Sequence, residues 1–256
     1  MGKLGENYRV NVATVDSLLH PDDSFDIIRK VLKIGQDEMT LYYIDGFVNA
    51  TPMQKLMMHF LSLDSMQTPP DQGKSAAERF VEYNVPHVEC ETTNDVDAML
   101  RAVLSGASLI LGSTFGPQAL IVDARTYPAR STEEPEGDRV MIGSRDGFVE
   151  TLIFNTALLR RRVRDPALTM QYFLVGKRSQ TDVVMCYLSG KANPDYVRKL
   201  QKKLAAIDTD ALPLGHQSLA ECLIKTRWYN PFPKIRYTER PDTAAAQVLE
   251  GSVLIF

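Results

Sequence analysis

The chain has 256 residues, 44% of them hydrophobic, with 29 basic against 32 acidic side chains and a formal net charge of −3. That length can bury a real core as one large domain or two smaller ones, and the near-balance of charge lacks the broad positive field on which nucleic-acid binding relies, so no nucleic acid is expected as a partner. Cys90, Cys186 and Cys222 are odd in number and far apart, which excludes a local C-x-x-C pair or a disulfide framework, and no apolar run approaches the roughly 18 to 20 residues that span a bilayer. A soluble, non-exported piece in a reducing compartment is the expectation.

Residues 1–23 show no clear period and are expected to form an arm. Ser24 is placed to cap a short helix with Asp26 in its first turn, and Met39–Val48 reads as a strand with an Asp45-Gly46 turn signal. Thr51-Pro52 opens a helix with Met53, Met57, Phe60 and Leu61 on its core face. Residues 64–78 read as a loop. A half-buried strand follows near Val85–Glu91, with Val88 and Cys90 inward, then a helix over Asp95–Ser105 that Gly106 ends. Ser108–Leu111 and Ala119–Asp123 are expected to pair as a hairpin around Gly112–Pro117.

The Pro- and Glu-rich stretch near residues 126–142 marks a boundary. Beyond it the pattern predicts a helix over Phe148–Val163, strands at Leu168–Val175 and Asp182–Leu188, and helices at Pro194–Ile207, His216–Lys225 and Pro241–Glu250. Lys234–Thr238 and Ser252–Phe256 read as further strands. The 182–188 strand is apolar on both faces and therefore expected to be central. The fold class is α/β: an arm (1–23), a first subdomain (24–125), a linker (126–142) and a second subdomain (143–256). Because the chain stops on apolar residues, it is expected to be cut from a longer protein.

Recognisable chemistry is mostly incomplete. Gly73-Lys74-Ser75 resembles the end of a phosphate-binding loop, but Thr68 stands where the first glycine belongs. Gly112-Ser113-Thr114-Phe115-Gly116 has threonine where a nucleophile elbow needs serine, so a hairpin turn is expected. His20, His59, His87 and His216 share no metal-ligand spacing and read as surface residues. Cys186, and Cys222 beside Leu219 and Leu223, read as small core hydrophobes. No catalytic residue, cofactor or metal is expected.

Residues 143–166 are the informative stretch. On a helical wheel Phe148, Leu152, Leu159 and Val163 form one stripe with Asn155 inside it. A polar group there must be hydrogen-bonded, so Asn155 is expected to bond backbone or a neighbouring chain. Arg162 lies at the stripe's edge, with Glu239 or Asp242 as its candidate carboxylate. Arg160, Arg161 and Arg164 point elsewhere: either they complement the helix dipole or they meet a neighbouring subunit or anionic headgroups.

Three stretches carry a resemblance: Gly143-x-Arg145-Asp146-Gly147-Phe148-x-Glu150; Asn155 with Arg160-Arg161-Arg162-Val163-Arg164-Asp165-Pro166; and Thr238-Glu239-Arg240-Pro241-Asp242. Arg130 and Glu134-Pro135 agree with them. Over about residues 24–256 the chain resembles the A-subunit family of spore germination receptors, closest to its stage V sporulation AF branch. The resemblance implies a non-enzymatic domain ahead of a transmembrane part, on the cytoplasmic, spore-core side of the inner spore membrane. It implies as partners that transmembrane domain, other A-type subunits, a transporter-like B subunit and a lipoprotein C subunit. Assembly, signal relay and ion release are the implied roles; sensing of a germinant-like small molecule between the subdomains is the alternative.

Overall fold

A computed structural model describes residues 2–71, 73–86, 89–126, 146–210, 215–224 and 234–256. The chain divides into two compact units, residues 1–128 with 164–166, and residues 129–163 with 167–256. Most of the 126–142 linker, as well as Gly143, Arg145, His87 and Val88, lies outside the described residues. Each unit combines helices with an antiparallel sheet, in keeping with the α/β expectation.

The first unit opens on a helix, α1 (Tyr8–Leu19), where an arm was expected. Asn7 caps it by accepting from the backbone of Arg9 and Val10, and Val15 and Leu19 are buried. The apolar face is short and interrupted by Asn11 and Asp16, which hid the period. Next comes a strand, β1 (Ile27–Ile34), not the helix expected after Ser24. Ser24 and Asp26 are both buried, and the Ser24 hydroxyl donates to the Asp26 carboxylate instead of capping a helix.

β1 turns through Gly35-Gln36 into β2 (Asp37–Ile44). Gly35 takes φ +59°, and a Cβ there would stand 2.1 Å from the Asp64 carbonyl oxygen, so only glycine fits. Then follow α2 (Ala50–Leu61), α3 (Ala76–Asn84), β3 (Cys90–Thr93), α4 (Val96–Leu104), β4 (Ser108–Gly112) and β5 (Ala119–Val122). The strand order is β1-β2-β4-β5-β3, and β4 pairs with β5 as the expected hairpin.

Helices α2 and α3 bury Met53, Leu56, Phe60, Ala77 and Phe80 against Leu32, Met39, Leu41, Ile110 and Leu120. Leu61, expected inward, is exposed, and Leu56 takes its place. α3 occupies part of the stretch expected as loop. Its capping box is made by Ser75 and Glu78, so Gly73-Lys74-Ser75 leads into a helix start. On the other face of β2, Tyr42 donates to Asp16 of α1 at 2.8 Å, and Tyr8 bonds Thr40 at 2.6 Å.

The second unit contains α5 (Leu152–Arg162), β6 (Leu168–Val175), β7 (Thr181–Leu188), α6 (Pro194–Ala205), α7 (His216–Leu223), α8 (Pro241–Leu249) and β8 (Leu254–Ile255). Its sheet runs β6-β7-β8, so the strand that is apolar on both faces is indeed central. Val183 and Met185 meet Val197, Leu200 and Leu204 of α6 and Leu219 and Leu223 of α7. The opposite-facing Val184, Cys186 and Leu188 are also buried, and α5 and α8 pack on β7 as well as on each other. Cys222 is exposed, not the core residue its helical position suggested. Lys234–Thr238 is irregular where a strand was expected.

Candidate functional site

The described motif residues of the second unit converge at the two ends of α5. The helix starts at Leu152, four residues later than its period suggested, because the preceding backbone is committed elsewhere. The Phe148 amide donates to the Glu239 carbonyl at 2.8 Å. Val149 is held from both sides: its amide donates to Asn155 Oδ1 at 2.8 Å and its carbonyl accepts from Asn155 Nδ2 at 2.6 Å. Asn155 thus satisfies its polar atoms on backbone, one of the two outcomes expected of it, and does for this turn what a capping side chain does elsewhere. Thr151, at the cap position, makes no side-chain cap bond.

Burial along α5 does not follow a narrow stripe. Asn155, Thr156, Ala157, Leu158, Leu159 and Arg160 are buried in succession. Arg160, expected to point outward, is wholly buried (0% exposed) and donates from Nη2 to the Leu168 carbonyl at 2.9 Å. A guanidinium suits such a place because it is weakly hydrated and carries five donors in a rigid fork. Arg162 pairs with Asp146 at 2.7 Å, a carboxylate sixteen residues upstream that no local spacing rule singles out.

Of the two candidate partners for Arg162, Glu239 contributes its backbone carbonyl to Phe148, and Asp242 is engaged by Arg240. Arg240 Nε donates to Asp242 Oδ1 at 3.0 Å and its Nη2 to Oδ2 at 2.5 Å, a two-point grip. This grip, aided by the Thr243 amide and by the nearby charges of Arg240 and Arg162, holds the Asp242 carboxyl below the usual carboxylate range. Thr238 accepts the Arg240 amide through its hydroxyl, and Pro241 occupies the first position of α8, where its missing N–H costs nothing. Phe148 meets the Phe256 ring edge-on, with centroids 4.8 Å apart, and Phe256 continues the β8 pairing with Val184.

Gly147 is buried, and Glu150 and Arg161 are exposed. Arg164 and Asp165 fall in the first unit, where Arg164 donates to the Ser105 hydroxyl at 3.2 Å. So the structure joins Asp146, Phe148, Asn155, Arg162, Glu239, Arg240 and Asp242 within the second unit, whereas Arg164 and Asp165 belong to the first. Among the described residues no group of three or more His, Cys, Asp or Glu could hold a metal ion, and no helix is long and apolar enough to cross a membrane. Burial pushes the Cys90 thiol up to about 11, the opposite of an activated nucleophile.

The sequence pattern of the Bacillus/Clostridium GerA spore germination protein family matches residues 14–256. The chain belongs to this family. GerA relatives include stage V sporulation protein AF of Bacillus subtilis, 39% identical over 234 residues, covering 91% of this chain and 46% of that protein. Spore germination protein GerLA of Bacillus cereus is 30% identical over 260 residues, covering 100% of this chain and 51% of that protein. The chain therefore spans about half the length of these curated relatives. The crystal structure of the N-terminal domain of the A subunit of the Bacillus megaterium spore germinant receptor GerK3 superposes with a TM-score of 0.71 at 26% identity, covering 100% of this chain and 92% of that one. The GerA family is one of germination receptors and not a known class of enzyme.

Proposed function

We propose that this chain is the N-terminal assembly and signal-relay domain of a germination receptor A-type subunit, on the cytoplasmic, spore-core side of the inner spore membrane. The observation that supports this best is how the motif charges are used. Arg160 ties α5 to the Leu168 carbonyl, Arg162 ties it to Asp146, and Arg240 braces the start of α8 through Asp242, while the Phe148 amide joins the two motif segments at the Glu239 carbonyl. A site spent on holding segments in place suits mechanical coupling better than chemistry. In this reading these ties keep α5 and the Phe148–Phe256 contact rigid, so that a change in the rest of the subunit reaches the domain undamped. The partners would be the subunit's own transmembrane part, other A-type subunits, a transporter-like B subunit and a lipoprotein C subunit.

Exposed motif arginines then serve the subunit contacts. Arg160 is excluded from that role by its burial, which leaves Arg161 and Arg164. The test uses the complete subunit in its membrane, carrying Arg161→Glu with Arg164→Glu. The expected result is normal accumulation of the protein and loss of its larger assembly on cross-linking and sizing. Unchanged assembly would sink the contact assignment. A reading frame beyond Phe256 without apolar spans of about 20 residues would sink the membrane placement.

A further inference from the structure

β1 is an open edge. The two-residue turn at Gly35-Gln36 makes Ile34 and Asp37 a hydrogen-bonded pair, so Leu32, Lys30 and Ile28 also face their ladder partners on β2. Two bonds confirm this parity: the Asp45 amide donates to the Asp26 carbonyl, and Glu38 turns its carbonyl away from β1 to the Ser113 amide. Arg29, Val31 and Lys33 therefore aim their amides and carbonyls away from the sheet, and no hydrogen bond to another described residue satisfies them.

The other sheet edges differ. β3 runs on into Asn94 and Asp95, which bond Leu4 and bridge Lys3, β8 is only two residues long, and β6, also an eight-residue edge, has its Leu168 carbonyl taken by the buried Arg160. An eight-residue edge is ordinarily shortened, bent or covered, since it templates further pairing. Here the side chains of Arg29, Val31 and Lys33 share one face by the period of two, and all three residues are exposed. Arg29 has a single ion-pair partner, Asp16, at 3.2 Å. Lys33 has none among the described residues.

We propose that β1 is a docking edge for an extended acidic segment of a partner protein, added as a sixth strand with carboxylates opposite Arg29 and Lys33 and an apolar residue opposite Val31. Charge selects this occupant. Two copies of the chain joined antiparallel about Val31 would set Arg29 of each against Lys33 of the other, and like charges directly opposite are destabilising. The same lysine that discourages self-pairing favours an acidic strand. This goes beyond the assembly role of the second unit and stands independently of it.

The 256-residue chain is titrated into a fluorescein-labelled, end-capped eight-residue peptide with glutamate at positions 2 and 6, valine at position 4 and threonine elsewhere, so that glutamate, valine and glutamate share one face, and anisotropy is followed at low salt. Saturable binding is expected. Val31→Pro removes one outward amide and no ladder bond, a substitution edge strands tolerate, and should weaken binding about five- to tenfold. Lys33→Glu should weaken the acidic peptide by setting a carboxylate against one of its glutamates, and this loss decides the matter if the proline variant misfolds by circular dichroism. No saturation by about 1 mM, far weaker than specific recognition, overturns the proposal. So does binding that both variants leave unchanged, because it would be adhesion to charge elsewhere.

Discussion

Both units use the same hydrogen-bond device at the start of a helix, in very different surroundings. Asn11 of α1 accepts from the Gly5 amide at 2.9 Å and donates to the Gly5 carbonyl at 2.7 Å, as Asn155 of α5 does with Val149. Each asparagine is the fourth residue of its helix and reaches back six positions. Around Asn11 the helix is one-sided, with Val15 and Leu19 inward and Arg9 and Val10 outward. Around Asn155 the helix is enclosed through Arg160, and the segment it grips is also tied to Glu239 and followed along α5 by the Arg162–Asp146 pair. The clasp alone is therefore a general way to anchor a chain ahead of a helix. What distinguishes the second unit is the charged frame around it.

Replacing Arg160 should separate the two most sharply. Arg160→Glu puts a carboxylate against the Leu168 carbonyl in a fully buried site, and is expected to cost about 3–5 kcal/mol, enough to unfold the second unit. Urea denaturation of the chain checks this, and a midpoint close to wild type would show that the buried frame is not needed. The paired alanine substitutions come next. Asn155→Ala strands both polar groups of half-buried Val149 and should cost about 2–3 kcal/mol, whereas Asn11→Ala frees those of exposed Gly5, which water can satisfy, and should cost about 1 kcal/mol. Equal losses would mean that the surroundings add nothing.

The smallest effect is the pH-dependent one. Arg240 and its neighbours lower the Asp242 carboxyl, so their contribution is complete above the unfolded carboxylate value of about 3.9 and disappears as pH falls through the lower folded value. Arg240→Met should therefore lower stability by about 1 kcal/mol at neutral pH, since Asp242 is partly exposed, and the gap should close below about pH 4. A gap that stayed constant down to pH 2 would assign the loss to packing of the Arg240 stem.

Much of the secondary structure was legible because it depends on near neighbours. α4, α6 and α8 carry their caps and periods within about a dozen residues: Asp95 and Asn193 cap from the side chain, and Pro241 sits at the first helical position. β7 showed its central place through apolar residues on both faces. By contrast, α1 was missed because polar residues with tertiary roles interrupt its face: Asn11 grips Gly5, and Asp16 receives Tyr42. The segment after Ser24 was misread because a Ser-x-Asp pattern satisfies a helix start and a buried Ser24–Asp26 bond equally well.

The site divides along the same line. By itself the sequence determined which residues form the motif, that Asn155 needs hydrogen-bond partners and that the chain is a GerA-family α/β protein, because composition and order are local and countable. Only the tertiary structure decided which arginine is buried, which carboxylate each arginine takes and where α5 begins. Those outcomes depend on which groups sixteen, or eighty and more, residues apart compete for one backbone amide or guanidinium, and the winner is set by packing of the whole unit.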